Sequence, residues 1–204
     1  MSKRINRVVF KDHPKSKVFL SPIEMGDVDR YYAWTNDHDV TRFLMIRFPT
    51  TRKQEETWCA GSAASAQLEN IVLAIIEKKG GTHIGSIGLH RISWGNRSAT
   101  TGAMIGDKRF WGAGYGSHAK VLLLKYAFDE LGLHSIESRV AAFNGRSAAY
   151  NKKCGYLEVG RMPERTFRDG KFHDEIVMET RPTLFRPIWK SFEAGTFGPS
   201  KRKK

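Results

Sequence analysis

The stretch that most restricts the fold is a glycine-rich turn at residues 111–116, Trp-Gly-Ala-Gly-Tyr-Gly. It lies between a strand-like segment, residues 101–107, and a helix-like segment that begins at Ser117. The first turn of a helix has backbone N–H groups without helical acceptors, and glycine leaves them open to a ligand. The helix dipole adds partial positive charge at this end. The turn therefore predicts a site for a pyrophosphate group ahead of the helix.

Neither hydropathy nor cysteine content indicates a secreted or membrane protein. Hydrophobic residues make up 40% of the chain, yet no apolar run approaches the roughly 18 residues of a membrane helix. The basic N-terminus is not followed by the apolar segment of a signal peptide. Cys59 and Cys154 are the only cysteines and form no C-x-x-C motif. We therefore expect a cytoplasmic protein without disulfide bonds and without contact with a membrane.

The formal net charge of +13 is concentrated at the two ends of the chain. Residues 1–17 carry a net charge of +5 and residues 181–204 carry +6, which leaves +2 for the rest. We expect a basic arm over residues 1–16, one folded domain over residues 17–190 and a basic, disordered tail over residues 191–204. Such ends are typical of solvated tails, and they are also suited to contact an anionic partner such as a ribosome.

The hydrophobic pattern predicts one α+β domain. The apolar run at residues 71–76 is typical of a buried strand, and glycine turns join it to two antiparallel partners. Apolar residues recur at helical spacing over residues 117–131, where Gly132 ends the helix. Asp169-Gly170 predicts a type I′ hairpin between the last two strands. The order of elements predicts a mixed, mostly antiparallel sheet of about six to seven strands with helices on its faces.

Several ordered motifs carry a resemblance to a known family. They are residues 105–116, residues 126–134, the stretch 144–156 with Asn, Ser and Tyr at 144, 147 and 150, and residues 167–174. Over residues 17–189 the chain resembles the GNAT N-acetyltransferase superfamily. It is most similar to the RimJ/RimL-type branch, whose members resemble ribosomal-protein acetyltransferases.

This resemblance implies acetyl-CoA as the acetyl donor and two central strands that splay apart to hold it. The pyrophosphate would lie on the backbone of the turn, and the end of the preceding strand would pair with the pantetheine. A backbone N–H of that strand would also donate to the thioester carbonyl, where negative charge develops. The implied donor-binding residues are Met104, Ile105, Gly106, Trp111, Gly112, Ala113, Gly114, Tyr115, Gly116, Ser117, Asn144 and Tyr150.

The resemblance also implies catalytic residues near the donor thioester. Tyr150 is similar to the tyrosine that protonates the leaving thiolate in many of these enzymes. Asn144 and Ser147 are candidates to hydrogen-bond the pantetheine or the thiol, and both residue types are equally favoured as helix caps.

On the acceptor side, a pattern of this branch is similar to five residues of the chain, namely Trp34, Asn36, Asp37, Thr41 and Arg42. Asp37 or Asp39 could hold a cationic amine, or could simply cap the end of a helix. The implied acceptor-binding residues are Trp34, Asn36, Asp37 and Arg42.

The sequence does not assign a general base. Relatives often have an acidic residue where this chain has Thr100, and threonine cannot take a proton at neutral pH. His118 and Glu137 are the candidates, and Arg139 is the expected ion-pair partner of Glu137. Cys154 is expected to pack in the core, since no basic partner is placed to activate it. The seven histidines show no metal-ligand spacing, so we expect no metal.

The leading functional prediction is direct transfer of an acetyl group from acetyl-CoA to a primary amine. Protein N-terminal amines, amino sugars and small amines all remain candidate acceptors. Two alternatives stay open at this point: a ribosome- or RNA-associated module that uses the basic ends, and a non-catalytic relative that binds acyl-CoA. The sequence also leaves the oligomeric state open, a homodimer included.

Overall fold

The computed structural model describes residues 7–63 and 69–197 of the 204-residue chain. Its strands form one seven-stranded mixed sheet in the order β1-β2-β3-β4-β5-β7-β6. Neighbouring strands are antiparallel except β4 and β5, which run parallel. The strands are β1 (Val18–Pro22), β2 (Ile71–Glu77), β3 (Thr82–Ser93), β4 (Ser98–Ile105), β5 (Ser135–Ala141), β6 (Leu157–Arg168) and β7 (Lys171–Thr180). This sheet confirms the predicted α+β class.

Helices cover both faces of the sheet. Alternate residues of β2 belong to different clusters: Leu73 and Ile75 pack with α4, whereas Ala74 and Ile76 pack with α1 and α3. One face therefore carries α4 and the other carries α1 and α3. The α-helices among the described residues are α1 (Val28–Thr35), α2 (His38–Thr41), α3 (Arg52–Ala63), α4 (Tyr115–Asp129), α5 (Gly145–Lys153) and α6 (Pro182–Glu193).

The turn chemistry confirms two predictions. Asp169 and Gly170 both have positive φ, 51° and 77°, as a type I′ hairpin requires, and they join β6 to β7. Gly132 has a φ of 65° just after α4, where a left-handed residue ends the helix.

The two central strands separate soon after they meet. β4 pairs with β5 only through residues 98–100, opposite residues 135–137. Beyond that point β5 continues to pair with β7 as far as Ala141, and β4 continues to pair with β3. Residues 101–105 of β4 therefore have no strand partner on the β5 side. This gap, called the splay below, confirms the predicted separation of the central strands.

The ends of the described chain pack more closely than the sequence indicated. The C-terminal helix α6 was not predicted; it runs past residue 190 and buries Phe185 and Phe192 in the main core. At the other end, Arg7 forms an ion pair with the buried Asp27. Charge alone does not show which partner a basic segment meets, because that partner is distant in the sequence. The closing basic run, residues 201–204, lies outside the described residues.

Candidate active site

The glycine turn ahead of α4 has the backbone shape that an anion site requires. Gly112 and Gly114 have φ values of 73° and 85°, and a Cβ on either would meet no heavy atom within 4 Å. The first helical bond runs from the His118 N–H to the Gly114 carbonyl at 3.1 Å. The N–H groups of the preceding turn therefore have no helical acceptor and are open to a phosphate group.

Side chains around the turn hold its shape and add positive charge. The Trp111 indole N–H donates to the Ile105 carbonyl at 2.7 Å, which ties the turn to the end of β4. The Lys17 ammonium donates to the Ala113 carbonyl at 2.9 Å. The Arg146 guanidinium lies 5.5 Å from the centre of the Trp111 ring. The residues present therefore fit a pyrophosphate, by conformation and by charge.

Tyr150 lies on α5 beside the same turn. The Tyr150 ring lies next to Gly116: a Cβ on Gly116 would be in ordinary van der Waals contact with Cε2 of the ring, at 4.0 Å. The Tyr150 hydroxyl is buried and has no hydrogen-bond partner among the described residues. Burial raises the pKa of this phenol well above its ordinary value. Tyr150 is therefore a neutral O–H donor without a protein acceptor.

Asn144 serves as the N-cap of α5. Its side-chain oxygen accepts a hydrogen bond from the Ser147 backbone N–H at 3.1 Å. The structure thus shows the capping interaction for Asn144, and a role of either residue in binding the donor stays a prediction.

A buried lysine lies behind the splay. The Lys120 ammonium donates to the Thr101 hydroxyl at 2.6 Å and lies 5.1 Å from the ring centres of Tyr150 and Tyr156. Burial lowers its pKa to about 7. The sequence analysis did not identify this residue. Its position directly before the apolar residues 121–124 of α4 could have indicated a buried lysine.

A cavity of about 440 Å³ opens on the face of the sheet that carries α1 and α3. Its floor includes Gly88 and Gly102, which are directly opposite each other on β3 and β4. The His90 imidazole covers this floor: its Nε2 would lie 3.0 Å from a Cβ on Gly88 and 3.6 Å from one on Gly102. Thr100 is the last β4 residue that pairs with β5. His90 lies opposite Thr100 on β3, so it is located where the splay begins.

Two titratable side chains line this cavity. Burial lowers the pKa of His90, helped by the nearby charges of Arg91 and Lys120, so the imidazole is neutral at pH 7. Glu55 is only 5% exposed and accepts a hydrogen bond from the Thr35 hydroxyl at 2.8 Å. Within the described part of the chain no cation pairs with Glu55, and burial raises its pKa. The cavity therefore offers a proton acceptor and a carboxylate.

Sequence reasoning missed both His90 and Glu55. Each is far in sequence from the recognised motifs, and only sheet register and helix packing bring them beside the splay. The sequence contained one weak indication of His90 as a site residue: this histidine follows Gly85 and Gly88 within a strand-like segment.

The predicted acceptor residues lie in different places. Trp34 packs against Gly106, where an added Cβ would lie 2.0 Å from the indole, and it does not line the cavity beside His90. Asn36 exchanges hydrogen bonds with the backbone of Thr50 at 2.9 and 3.0 Å. Arg42 lines a second cavity.

The two aspartates of the acceptor pattern share one lysine. Asp37 and Asp39 both pair with Lys108, at 2.8 and 2.9 Å. The Asp37 side chain also accepts a hydrogen bond from the Asp39 backbone N–H as the N-cap of α2. Asp37 therefore caps a helix, although it caps the start of α2 and not the end of α1, whose C-cap is Asn36. Both carboxylates already have a cation.

The base candidates from the sequence are engaged elsewhere. His118 faces α6, accepts a hydrogen bond from the Lys17 backbone N–H at 3.2 Å, and has its pKa lowered to about 4 by burial. Glu137 pairs with Arg139 at 2.7 Å, as expected. Cys154 is fully buried, and burial raises the pKa of its thiol to about 12. Neither His118 nor Cys154 is placed to react with a substrate in the cavity.

Comparisons with known proteins show the family. The family described as acetyltransferase (GNAT) domain matches residues 17–157, and the chain belongs to this family. Acetyl-CoA is the co-substrate of GNAT acetyltransferases. Among the described residues no helix is long and apolar enough to span a membrane. In the same part of the chain no group of acidic, histidine and cysteine side chains is arranged to hold a metal.

Individual relatives differ in their named substrates. The chain is 35% identical to the Bacillus subtilis protein named "Putative ribosomal N-acetyltransferase YdaF" over 96 residues, 47% of this chain and 52% of that one. The chain thus spans about half the length of this relative. It is 29% identical to spermidine N(1)-acetyltransferase of Vibrio cholerae over 160 residues, 78% of this chain and 90% of that one.

A solved structure shows the same fold. Spermidine N-acetyltransferase from Vibrio cholerae, in complex with CoA and spermine, superposes with a TM-score of 0.75. The match has 21% identity and covers 83% of this chain and 98% of that one.

Proposed function

We propose that this protein transfers the acetyl group of acetyl-CoA directly to a primary amine. One observation carries the proposal: different functional groups lie on the two faces of the sheet at the splay, one set suited to a donor and the other to an acceptor. The glycine turn and the Tyr150 hydroxyl lie on the side of α4 and α5, whereas His90 and Glu55 line a cavity on the opposite face. A thioester in the splay would be accessible from both sides.

The side chains present can handle both protons of the reaction. The amine nitrogen forms a bond to the thioester carbonyl carbon, and the carbon–sulfur bond breaks. Neutral His90 accepts the proton that the amine loses, and neutral Tyr150 donates a proton to the departing thiolate. The buried Glu55 carboxylate favours a cationic group in the cavity. Because the Cys154 thiol is protonated and buried, we propose direct transfer without an acyl-enzyme intermediate.

We do not restrict the proposed acceptor to the substrate of any one relative. The names of the relatives include a spermidine acetyltransferase and a ribosomal acetyltransferase, so small amines and protein N-terminal amines are both reasonable acceptors. We also propose a cytoplasmic location, because both cysteines are buried free thiols, as is usual in a reducing compartment.

A thiol-release assay tests the proposal. The protein is incubated with acetyl-CoA and a panel of small amines, amino sugars and short peptides, and CoA thiol is measured. Acetylated acceptor is identified by its mass. We expect thiol release that depends on the acceptor and yields one acetylated amine per thiol. Binding of CoA without turnover of any acceptor would contradict the proposal and favour a non-catalytic acyl-CoA-binding protein.

A further inference from the structure

A second cavity, of about 380 Å³, lies near the β5 edge of the splay. Its lining includes Arg139 and Ala141 of β5, which alternate with the core residue Val140 and so face away from α4. Leu44 lines both cavities. The two cavities therefore lie side by side on the acceptor face, one toward β4 and one toward β5.

The lining of this cavity is strongly basic, and we call it the arginine cavity. Glu175 is the one acidic residue among its lining residues in the described structure. The arginines that line it are Arg42, Arg47, Arg91, Arg139, Arg165 and Arg168.

Two of these arginines have carboxylate partners. Arg139 pairs with Glu137 at 2.7 Å and with Glu175 at 3.5 Å. Arg42 makes a looser contact of 3.8 Å with Asp169, and both of these side chains are exposed. Part of the positive charge is thus compensated within the protein.

The remaining four arginines have no carboxylate partner among the described residues. Arg47 and Arg168 donate to backbone carbonyls, those of Phe167 and Leu44, and these neutral acceptors do not cancel their charge. The Nε of Arg168 is buried without any hydrogen-bond partner in the described structure. Several guanidinium groups around one cavity repel each other unless an anion lies between them.

The backbone at Arg91 is unusual for its residue type. Arg91 has a φ of 50°, which few residues other than glycine, asparagine and aspartate adopt, and it lies in a β3 bulge between His90 and Ser93. A bulge re-aims a side chain, and such strain is concentrated at functional sites. Here it directs the side chain next to His90 into the arginine cavity.

We propose that the arginine cavity binds an anionic group, a phosphate or a carboxylate, on the same acceptor whose amine reacts beside His90. This inference rests on the proposed acetyl transfer. Guanidinium groups bind phosphate and carboxylate through paired hydrogen bonds. The anion is distinct from the pyrophosphate of CoA, since the glycine turn begins α4 on the opposite face of the sheet. The cavity arrangement therefore selects an amine that is cationic at one end and anionic at the other.

Matched acceptors test this selection. Ethanolamine is compared with its phosphate ester, and 3-aminopropanamide with 3-aminopropanoate, each with acetyl-CoA in excess. We expect at least one anionic acceptor to have a kcat/KM about tenfold or more above that of its neutral partner, as charge-assisted hydrogen bonds predict. The first pair reports on phosphate and the second on carboxylate.

The double variant Arg91→Ala, Arg165→Ala tests whether the preference for an anionic acceptor depends on the arginine cavity. We expect the ratio of anionic to neutral kcat/KM to fall to about one, with no change in the affinity for CoA. Arg161→Ala is the matched control, because Arg161 lies on β6 but pairs with Glu158 at 3.2 Å and Asp174 at 3.6 Å outside the cavity. This control should keep the wild-type ratio.

Two results would overturn the inference: equal kcat/KM within both acceptor pairs, or a preference that survives in the double variant. If no amine is acetylated although CoA binds, the proposed activity fails while the arginine cavity is still tested. In that case calorimetry with inorganic phosphate tests whether the arginine cavity binds an anion. Phosphate binding that the double variant loses supports an anion site, and absence of binding to the wild-type protein contradicts it.

Discussion

Lys120 Nζ lies 2.6 Å from Thr101 Oγ1 and has no carboxylate partner among the residues that the structure describes. Lys120 is 1% exposed, between the rings of Tyr150 and Tyr156. Thr101 is the first β4 residue beyond the pairing with β5. A lysine therefore lies buried at the start of the splay without a counter-charge. The cost of desolvating an ammonium group there lowers its pKa to about 7.

This lysine predicts a pH dependence of stability. The unfolded chain holds the Lys120 proton up to its ordinary pKa of 10.5, whereas the folded chain releases it near pH 7. The unfolded state thus binds more protons between these values, so the free energy of unfolding rises with pH across that window. Lys120→Met removes this slope and should be more stable than the wild type at pH 6, by on the order of 5 kcal/mol, the free energy that corresponds to lowering the pKa from 10.5 to about 7.

Urea denaturation at several pH values between 6 and 10 measures this effect. Lys125→Met is the control, since Lys125 lies on the same helix and pairs with Asp129 near the surface. It should leave the slope unchanged. Identical slopes for wild type and Lys120→Met would show that Lys120 is not held with a lowered pKa.

Gly114→Glu should abolish donor binding. Gly114 has a φ of 85° and lies at the N-cap of α4, where a side chain is strained and a carboxylate would repel a phosphate. We expect the Kd for CoA to rise by about 100-fold or more, measured by calorimetry. Gly26→Ala serves as control, because Gly26 has ordinary φ and open space around it. Retained CoA affinity in Gly114→Glu would exclude the turn as the pyrophosphate site.

Tyr150→Phe separates catalysis from binding. The Tyr150 hydroxyl has no protein partner, so its loss leaves no buried group unpaired. We expect kcat to fall by about 100-fold, as for removal of a general acid, with unchanged affinity for CoA. Steady-state kinetics and calorimetry together check this. If kcat stays within twofold of the wild type, Tyr150 is a packing residue and not the proton donor.

His90→Gln should change the pH profile. Since burial lowers the pKa of His90, its neutral form is present at pH 7 and is lost only as the pH falls below the ordinary histidine value. In the wild type kcat/KM should therefore rise with pH at acidic values and reach a plateau near neutrality. We expect that in His90→Gln the rise of kcat/KM at acidic pH is absent and that kcat/KM is lowered by about 100-fold. An unchanged acidic limb in the variant would assign the base to another group.

The local elements of the fold could be predicted because neighbouring residues encode them. The turn at residues 111–116, the hairpin at Asp169-Gly170 and the end of α4 at Gly132 all depend on backbone preferences of a few residues. Helix α6 was missed because Pro182 and Pro187 interrupt the pattern, although Pro182 occupies the first helical position, which tolerates proline.

The partners of charged side chains could not be predicted in the same way. His118 has the right chemistry for a base, but it packs against Phe192 on the far side of α4. Asp37 and Asp39 were candidates for an amine, and Lys108 pairs with both. In each case the deciding contact joins residues distant in sequence, and no local preference specifies such a contact.

The sequence by itself determined the order of the strands, the glycine turn and the family to which the chain belongs. These follow from periodicity, turn chemistry and motifs that are read along the chain. Only the tertiary structure decided that His90 and Glu55 share one cavity and that six arginines line another beside it. The physical reason is that sheet register and the early separation of β4 from β5 set which side chains meet at the splay.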